Sequence, residues 1–88
     1  MKKKILLTDD LLKDFIPIFR KHFSVDTLWN TNEKKINFSN YDGVVVSGLF
    51  KFQPLLYKKL TNLKIISLFA VGFDNINLQL CKERNIIV

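Results

Sequence analysis

Chemistry has few places to reside in this chain, and the run Leu68-Phe69-Ala70-Val71-Gly72-Phe73-Asp74-Asn75-Ile76-Asn77-Leu78 is the foremost of them. A glycine set among small and turn-forming residues lets backbone N–H groups come close to an anion, so the run could hold a carboxylate or a phosphate. Composition alone equally allows a tight turn, with Asp74, Asn75 and Asn77 serving turn and cap hydrogen bonds. Asp9 and Asp10 form a second place, an adjacent acidic pair that could meet a cation or end a strand and cap a helix. His22, the only histidine, stands beside Arg20 and Lys21 with no carboxylate near it in sequence, which suits a solvated surface better than a general acid. Gly43, Gly48 and Gly72 are the only glycines, so no Gly-x-Gly-x-x-Gly dinucleotide fingerprint can exist. No cluster has metal-ligand spacing, and no serine or cysteine has the setting of an activated nucleophile.

The elements that must position these groups alternate between two periods. Residues 4–8 are a short apolar run ended by acids, which predicts a buried strand. Leu11, Leu12, Phe15, Phe19 and Phe23 recur at spacings of three and four, predicting an amphipathic helix over 10–23. Pro17 interrupts it, so the helix either kinks there or becomes regular only near Pro17. A second strand is expected over 24–29, with Val25, Thr27 and Trp29 on one side, and a polar loop with at most one helical turn over 30–40. Residues 41–47 are a β-branched run and the clearest strand. A short helix follows over 53–60, with Pro54 in its first turn. A fourth strand covers 63–68, then the glycine loop, then a helix over 77–84. Asn77 suits its N-cap, and Asn85 suits the left-handed residue that ends it. Residues 86–88 begin a fifth strand.

Strands alternating with helices specify an α/β fold with right-handed crossovers. The expected architecture is a flavodoxin-like open parallel five-stranded sheet, order 2-1-3-4-5, incomplete at its carboxyl end. The glycine loop then lies at the carboxyl edge of the sheet, where such folds bind ligands.

Length and charge bound the rest. The 88 residues allow one small domain, and a hydrophobic fraction of 48% is ample for a core. The net charge of +6 is spread over helices and loops among acids, without a recognition helix or zinc spacing, so no specific nucleic-acid partner is expected. Met1-Lys2-Lys3-Lys4 is followed by too short an apolar run for a secretory signal, and no stretch has membrane-span length. A lone Cys81 excludes an internal disulfide and fits a reducing compartment, so a cytoplasmic protein without a membrane partner is expected.

Lys-Ile-Leu-Leu-Thr-Asp-Asp at 4–10 resembles the acidic pair of response-regulator receiver domains. Those domains also need an aspartate at the end of the third strand, and here that strand ends Val46-Ser47-Gly48. A far longer resemblance is to the D-isomer-specific 2-hydroxyacid dehydrogenases, whose catalytic domain has a Gly-Val-Gly-Tyr-Asp-Asn-Ile-Asp loop. Residues 70–77 match it as Ala-Val-Gly-Phe-Asp-Asn-Ile-Asn. The strand at 41–46, the segment at 62–67 and the Lys82-Glu83-Arg84-Asn85-Ile86-Ile87-Val88 run are similar to that family in the same order. Ala70, Asn77 and Asn85 depart from its usual glycine, aspartate and glycine, and each swap preserves the physical role.

The resemblance implies an NAD(P)-dependent oxidoreductase acting on the CH–OH group of a 2-hydroxy acid, or reducing a 2-keto acid. By resemblance, backbone amides of Val71 and Gly72 bind the substrate carboxylate, and Phe69, Ala70, Ser47 and Gly48 line the pocket. The family's cofactor fingerprint and its catalytic arginine, histidine and acid come later than Val88. Residues 1–88 are therefore expected to be part of a substrate-binding domain, with the cofactor-binding domain absent. NAD or NADP belongs to the complete enzyme, expected as a homodimer, and none is expected to bind this chain alone. The alternative is a free-standing flavodoxin-like binding or interaction module without catalysis.

Overall fold

The computed structural model describes residues 3–29, 35–48, 50–69 and 76–88. Four parallel strands, β1 (Lys4–Leu7), β2 (Ser24–Thr27), β3 (Gly43–Ser47) and β4 (Ile65–Phe69), form one sheet in the order 2-1-3-4. Ile87 makes a parallel bridge to Ile65, on the outer side of β4, where a fifth strand belongs. The expected flavodoxin-like order is present, with the fifth strand reduced to that bridge. Among the described residues three α-helices accompany the strands: α1 (Ile16–Arg20), α2 (Pro54–Lys59) and α3 (Leu78–Glu83).

Gly43 shows why β3 can occupy the centre of the sheet. It pairs with Ile5 on one side and Ile65 on the other. A Cβ there would lie 3.1 Å from the Ile65 Cγ2 and 3.4 Å from the Ile5 Cγ2, so a larger residue would force the outer strands to shift.

The alternation of strand residues splits the core in two. One face carries Leu6, Val44, Val46 and Ile66 beneath Tyr57, Leu60 and Cys81 of the α2 and α3 region. The opposite face carries Ile5, Leu7, Val25 and Val45 beneath Leu12, with Ile16, Phe19 and Phe23 packed at its border. The segment expected as one helix over 10–23 is a 3₁₀ helix, Asp10–Phe15, followed by α1, with Pro17 in the first turn of α1. Pro17 therefore marks where the regular helix begins, because its missing N–H is harmless there. The 3₁₀ winding rotates Leu11 and Phe15 away from the core, and both are exposed, contrary to the amphipathic reading.

β4 departs from a doubly buried strand in a similar way. Its Ile66 is buried, but Ile65 and Phe69 on the α1 face are 46% and 42% exposed, and Ile87 beside them is 67% exposed. Phe15 meets the Phe69 ring edge-on at 5.2 Å and Phe19 lies 6.3 Å from it, so the first helical segment reaches the end of β4. Among the described residues no helix covers the rest of that face. Parallel sheets are ordinarily covered on both sides, so this surface should drive self-association. Sedimentation should show concentration-dependent association that Ile65→Lys reduces. A clean monomer melting cooperatively above about 65 °C, the top of the usual mesophile range, would refute this.

Candidate functional site

The carboxyl edge gathers the ends of β1, β3 and β4. The chain leaves β1 for β2 on one side and returns to β3 on the other, so the strand order reverses between β1 and β3. A crevice opens at such a switch point. Thr8 closes its floor: it is buried, its N–H donates to the Val45 carbonyl at 3.2 Å, and its hydroxyl lies 3.3 Å from the same oxygen.

Asp9 follows in extended conformation at φ −149°, directly before the 3₁₀ helix, and its side chain makes no capping hydrogen bond. The expectation that Asp9 caps this helix is therefore wrong. Its Oδ2 instead accepts a 2.6 Å hydrogen bond from the Ser47 hydroxyl, across the switch point from β1 to β3. A charge-assisted bond of this length outcompetes a cap to the N–H groups of a tight 3₁₀ turn.

Three of the six residues expected at the site can be placed. Ser47 ends β3 and is buried, Gly48 follows it and is exposed, and Phe69 ends β4 in register with Ser47. These three share one edge, beside Asp9. Ala70, Val71 and Gly72 lie outside the described residues, as does Asp74. The chain is described again from Ile76, which is buried, and Asn77, whose Oδ1 accepts from the Leu80 N–H at 3.0 Å as the predicted N-cap of α3. The Asn77 N–H donates to the Tyr57 hydroxyl at 2.9 Å, which ties the start of α3 to α2.

Other described polar groups pair away from this edge. Tyr41 donates to Asp26 Oδ2 at 2.7 Å, and Lys4 lies 3.5 Å from the same oxygen, near the amino edge of the sheet. Burial, then the hydrogen bond to Asp26, holds the Tyr41 hydroxyl well above its ordinary pKa. Burial also raises the Cys81 thiol, which keeps it unreactive at neutral pH. His22 is exposed, as its neighbours predicted. Among the described residues no three His, Cys, Asp or Glu side chains could hold a metal ion. None of the described helices is long and apolar enough to cross a membrane. Among the described residues a hollow of about 300 Å³ is bounded by Leu28, Phe38 and Phe50, and another of about 550 Å³ lies between α2 and α3.

A profile of the D-isomer specific 2-hydroxyacid dehydrogenase catalytic domain matches residues 5–88. The chain belongs to this family. None of the curated proteins is significantly similar to it in sequence. The fold is that of the 2-hydroxyacid dehydrogenase from Ketogulonicigenium vulgare, at a TM-score of 0.83 and 23% identity over 98% of this chain and 29% of that one. It is also that of an NADPH-dependent glyoxylate/hydroxypyruvate reductase from Sinorhizobium meliloti, solved with NADP and malonate (TM-score 0.82, 19% identity, 98% of this chain, 27% of that one). A D-lactate dehydrogenase from Aquifex aeolicus, complexed with NAD and lactic acid, is similar at a TM-score of 0.70 and 26% identity, over 93% of this chain and 26% of that one. The chain thus spans under a third of the length of these structures.

The family implies a dinucleotide, and the described residues of this dehydrogenase domain do not suit one. A pyrophosphate needs glycine-rich backbone and a helix N-terminus at the first strand-to-helix turn. Here that turn is Thr8-Asp9-Asp10, with a carboxylate at its mouth and a 3₁₀ segment behind it. The isolated chain should therefore give no saturable enhancement of NADH fluorescence and no turnover of any 2-keto acid. Either signal from pure protein would contradict this assignment.

Proposed function

We propose that residues 1–88 are part of the substrate-binding domain of an NAD(P)-dependent oxidoreductase that interconverts a 2-hydroxy acid and its 2-keto acid. The observation that carries this reading is the family match over residues 5–88, together with Phe69, the last residue of β4, which directly precedes the glycine run in sequence. In this reading the N–H groups of Val71 and Gly72 bind the substrate carboxylate. Phe69, Ala70, Ser47 and Gly48 border the rest of the small acid. Phe69 supplies an apolar wall that excludes water, and the pinned Asn77 sets where the loop returns to helix. Hydride chemistry belongs to a nicotinamide held outside these residues, in a complete enzyme that is a cytoplasmic homodimer. Lactic acid, named with the Aquifex enzyme, is a 2-hydroxy acid, and malonate, named with the Sinorhizobium enzyme, shares with it only a carboxylate on a small carbon skeleton.

Titration of the ¹⁵N-labelled chain with D-lactate tests the reading. Saturable shifts centred on the amides of Val71 and Gly72 are expected, with weak affinity. Shifts spread over surface lysines, with those two amides unmoved, would refute it.

A further inference from the structure

We propose that the hollow beside α2 is a binding site for a small apolar carboxylic acid, one that joins a single ring or a short branched chain to one carboxylate. This site is independent of the substrate-binding reading above, so either can fail alone.

The hollow holds about 300 Å³, at the lower end of the range for small-molecule sites, which limits the ligand to a small one. Its walls are the apolar side chains of Leu28, Phe38, Phe50, Leu55 and Leu56. Three of these are held by contacts of their own. Leu28 directly follows β2, and its N–H donates to the Leu7 carbonyl at 2.9 Å. Phe38 is buried in the core of the α2 face. Phe50 meets Phe52 edge-on at 6.1 Å, and the Phe52 ring in turn lies 4.2 Å from that of Tyr57. Walls fixed in advance let an entering apolar group bury surface at little ordering cost. Leu55, by contrast, is 60% exposed and leaves apolar surface for a ligand to cover.

The polar groups around these walls decide the ligand's charge. Lys51, Gln53 and Lys59 line the same hollow, all three are exposed, and no acid is among its described lining residues. The Lys59 Nζ lies 5.3 Å from the centre of the Phe38 ring, which sets the ammonium beside an aromatic wall without neutralising it. Neither lysine makes an ion pair among the described residues, where the pairs join Lys4 to Asp26 and Lys64 to Asp42. Gln53 precedes α2 and its side chain makes no cap hydrogen bond, so its amide can donate to the same anion. Apolar walls beneath two lysines match a molecule with hydrocarbon at one end and a carboxylate at the other.

3-Phenylpropionate and the uncharged 3-phenylpropanol are the probes, titrated into the ¹⁵N-labelled chain at pH 7. Saturable shifts are expected at the amides of Leu28, Phe38, Phe50, Leu55 and Lys59, with the acid binding more tightly than the alcohol. Lys51→Gln and Lys59→Gln should each weaken the acid about two- to fivefold, the range of an exposed ion pair, and leave the alcohol within about twofold. Leu55→Ala, at an exposed position, should weaken both probes alike by about fivefold. Equal binding of acid and alcohol by the wild-type chain, or lysine variants that weaken both alike, overturns the selection for an anion. Absence of saturable shifts at these amides at the solubility limit of the acid overturns the site altogether. D-Lactate, which lacks the hydrocarbon, should leave these amides unmoved, and shifts as large as those of 3-phenylpropionate would overturn the selection for an apolar acid. Failure of D-lactate to shift Val71 and Gly72 counts against the substrate-binding reading alone.

Discussion

Gly72→Val in the complete oxidoreductase is expected to raise KM for the 2-keto acid by about one to three orders of magnitude, the loss of one or two charge-assisted hydrogen bonds of roughly 1.5–3 kcal/mol each. If backbone N–H groups hold the carboxylate, what matters at position 72 is access to the main chain. A β-branched side chain would stand where the carboxylate must approach, and it would exclude any positive φ that the loop needs. NADH affinity should hardly change, because nothing described in this domain suits a dinucleotide. Asp74→Asn is the control: a turn or cap residue keeps its hydrogen bonds as a neutral amide, so KM should move little. An unchanged KM in folded Gly72→Val enzyme would sink the assignment. So would a larger loss in Asp74→Asn, since a side-chain charge would then carry the site.

The alternation of apolar runs with helical spacing made the sheet legible from residues alone, because parallel pairing is dictated by β-branched runs such as 43–47. Where local signals misled, a neighbour was the cause. The spacing of Leu11, Phe15 and Phe19 fits an α-helix, but Pro17 delays regular winding and leaves a 3₁₀ turn before it. The strand expected over 63–68 forms as Ile65–Phe69, but burial of Ile65 and Phe69 depends on a covering layer that is not encoded in that run. Ser47 and Phe69, expected at the site by resemblance, pair in register across β3 and β4, whereas Gly72 and its flanks lie outside the described residues. Asp9 was misjudged because a carboxylate before a helix ordinarily caps it. Only the three-dimensional approach of Ser47, distant in sequence, reveals the competing partner.

The largest effect on stability is expected at Tyr57, through which α2, α3 and the return of the glycine loop meet. The side chain is 1% exposed, its ring lies 4.2 Å from that of Phe52, and its hydroxyl accepts the Asn77 N–H. Burial is the main cause that raises its pKa, so the hydroxyl stays protonated at neutral pH. Arg84 closes the same unit from the other side, its guanidinium donating to the Tyr57 and Leu60 carbonyls at the end of α2. Truncating a buried aromatic to alanine typically costs about 3–5 kcal/mol. A domain of this size has roughly 0.05–0.15 kcal/mol of stability per residue, so Tyr57→Ala should leave the chain largely unfolded at 25 °C. Tyr57→Phe separates the ring from the hydroxyl. It keeps the packing and leaves the Asn77 N–H to water at the exposed start of α3, so the loss should be about 1 kcal/mol, or roughly 4–8 °C in Tm. Circular dichroism melts of the three proteins decide the matter. Native-like folding of Tyr57→Ala would show that the α2–α3 contact is dispensable, and a Tyr57→Phe loss as large as that of Tyr57→Ala would place the energy in the hydrogen bond instead of the ring.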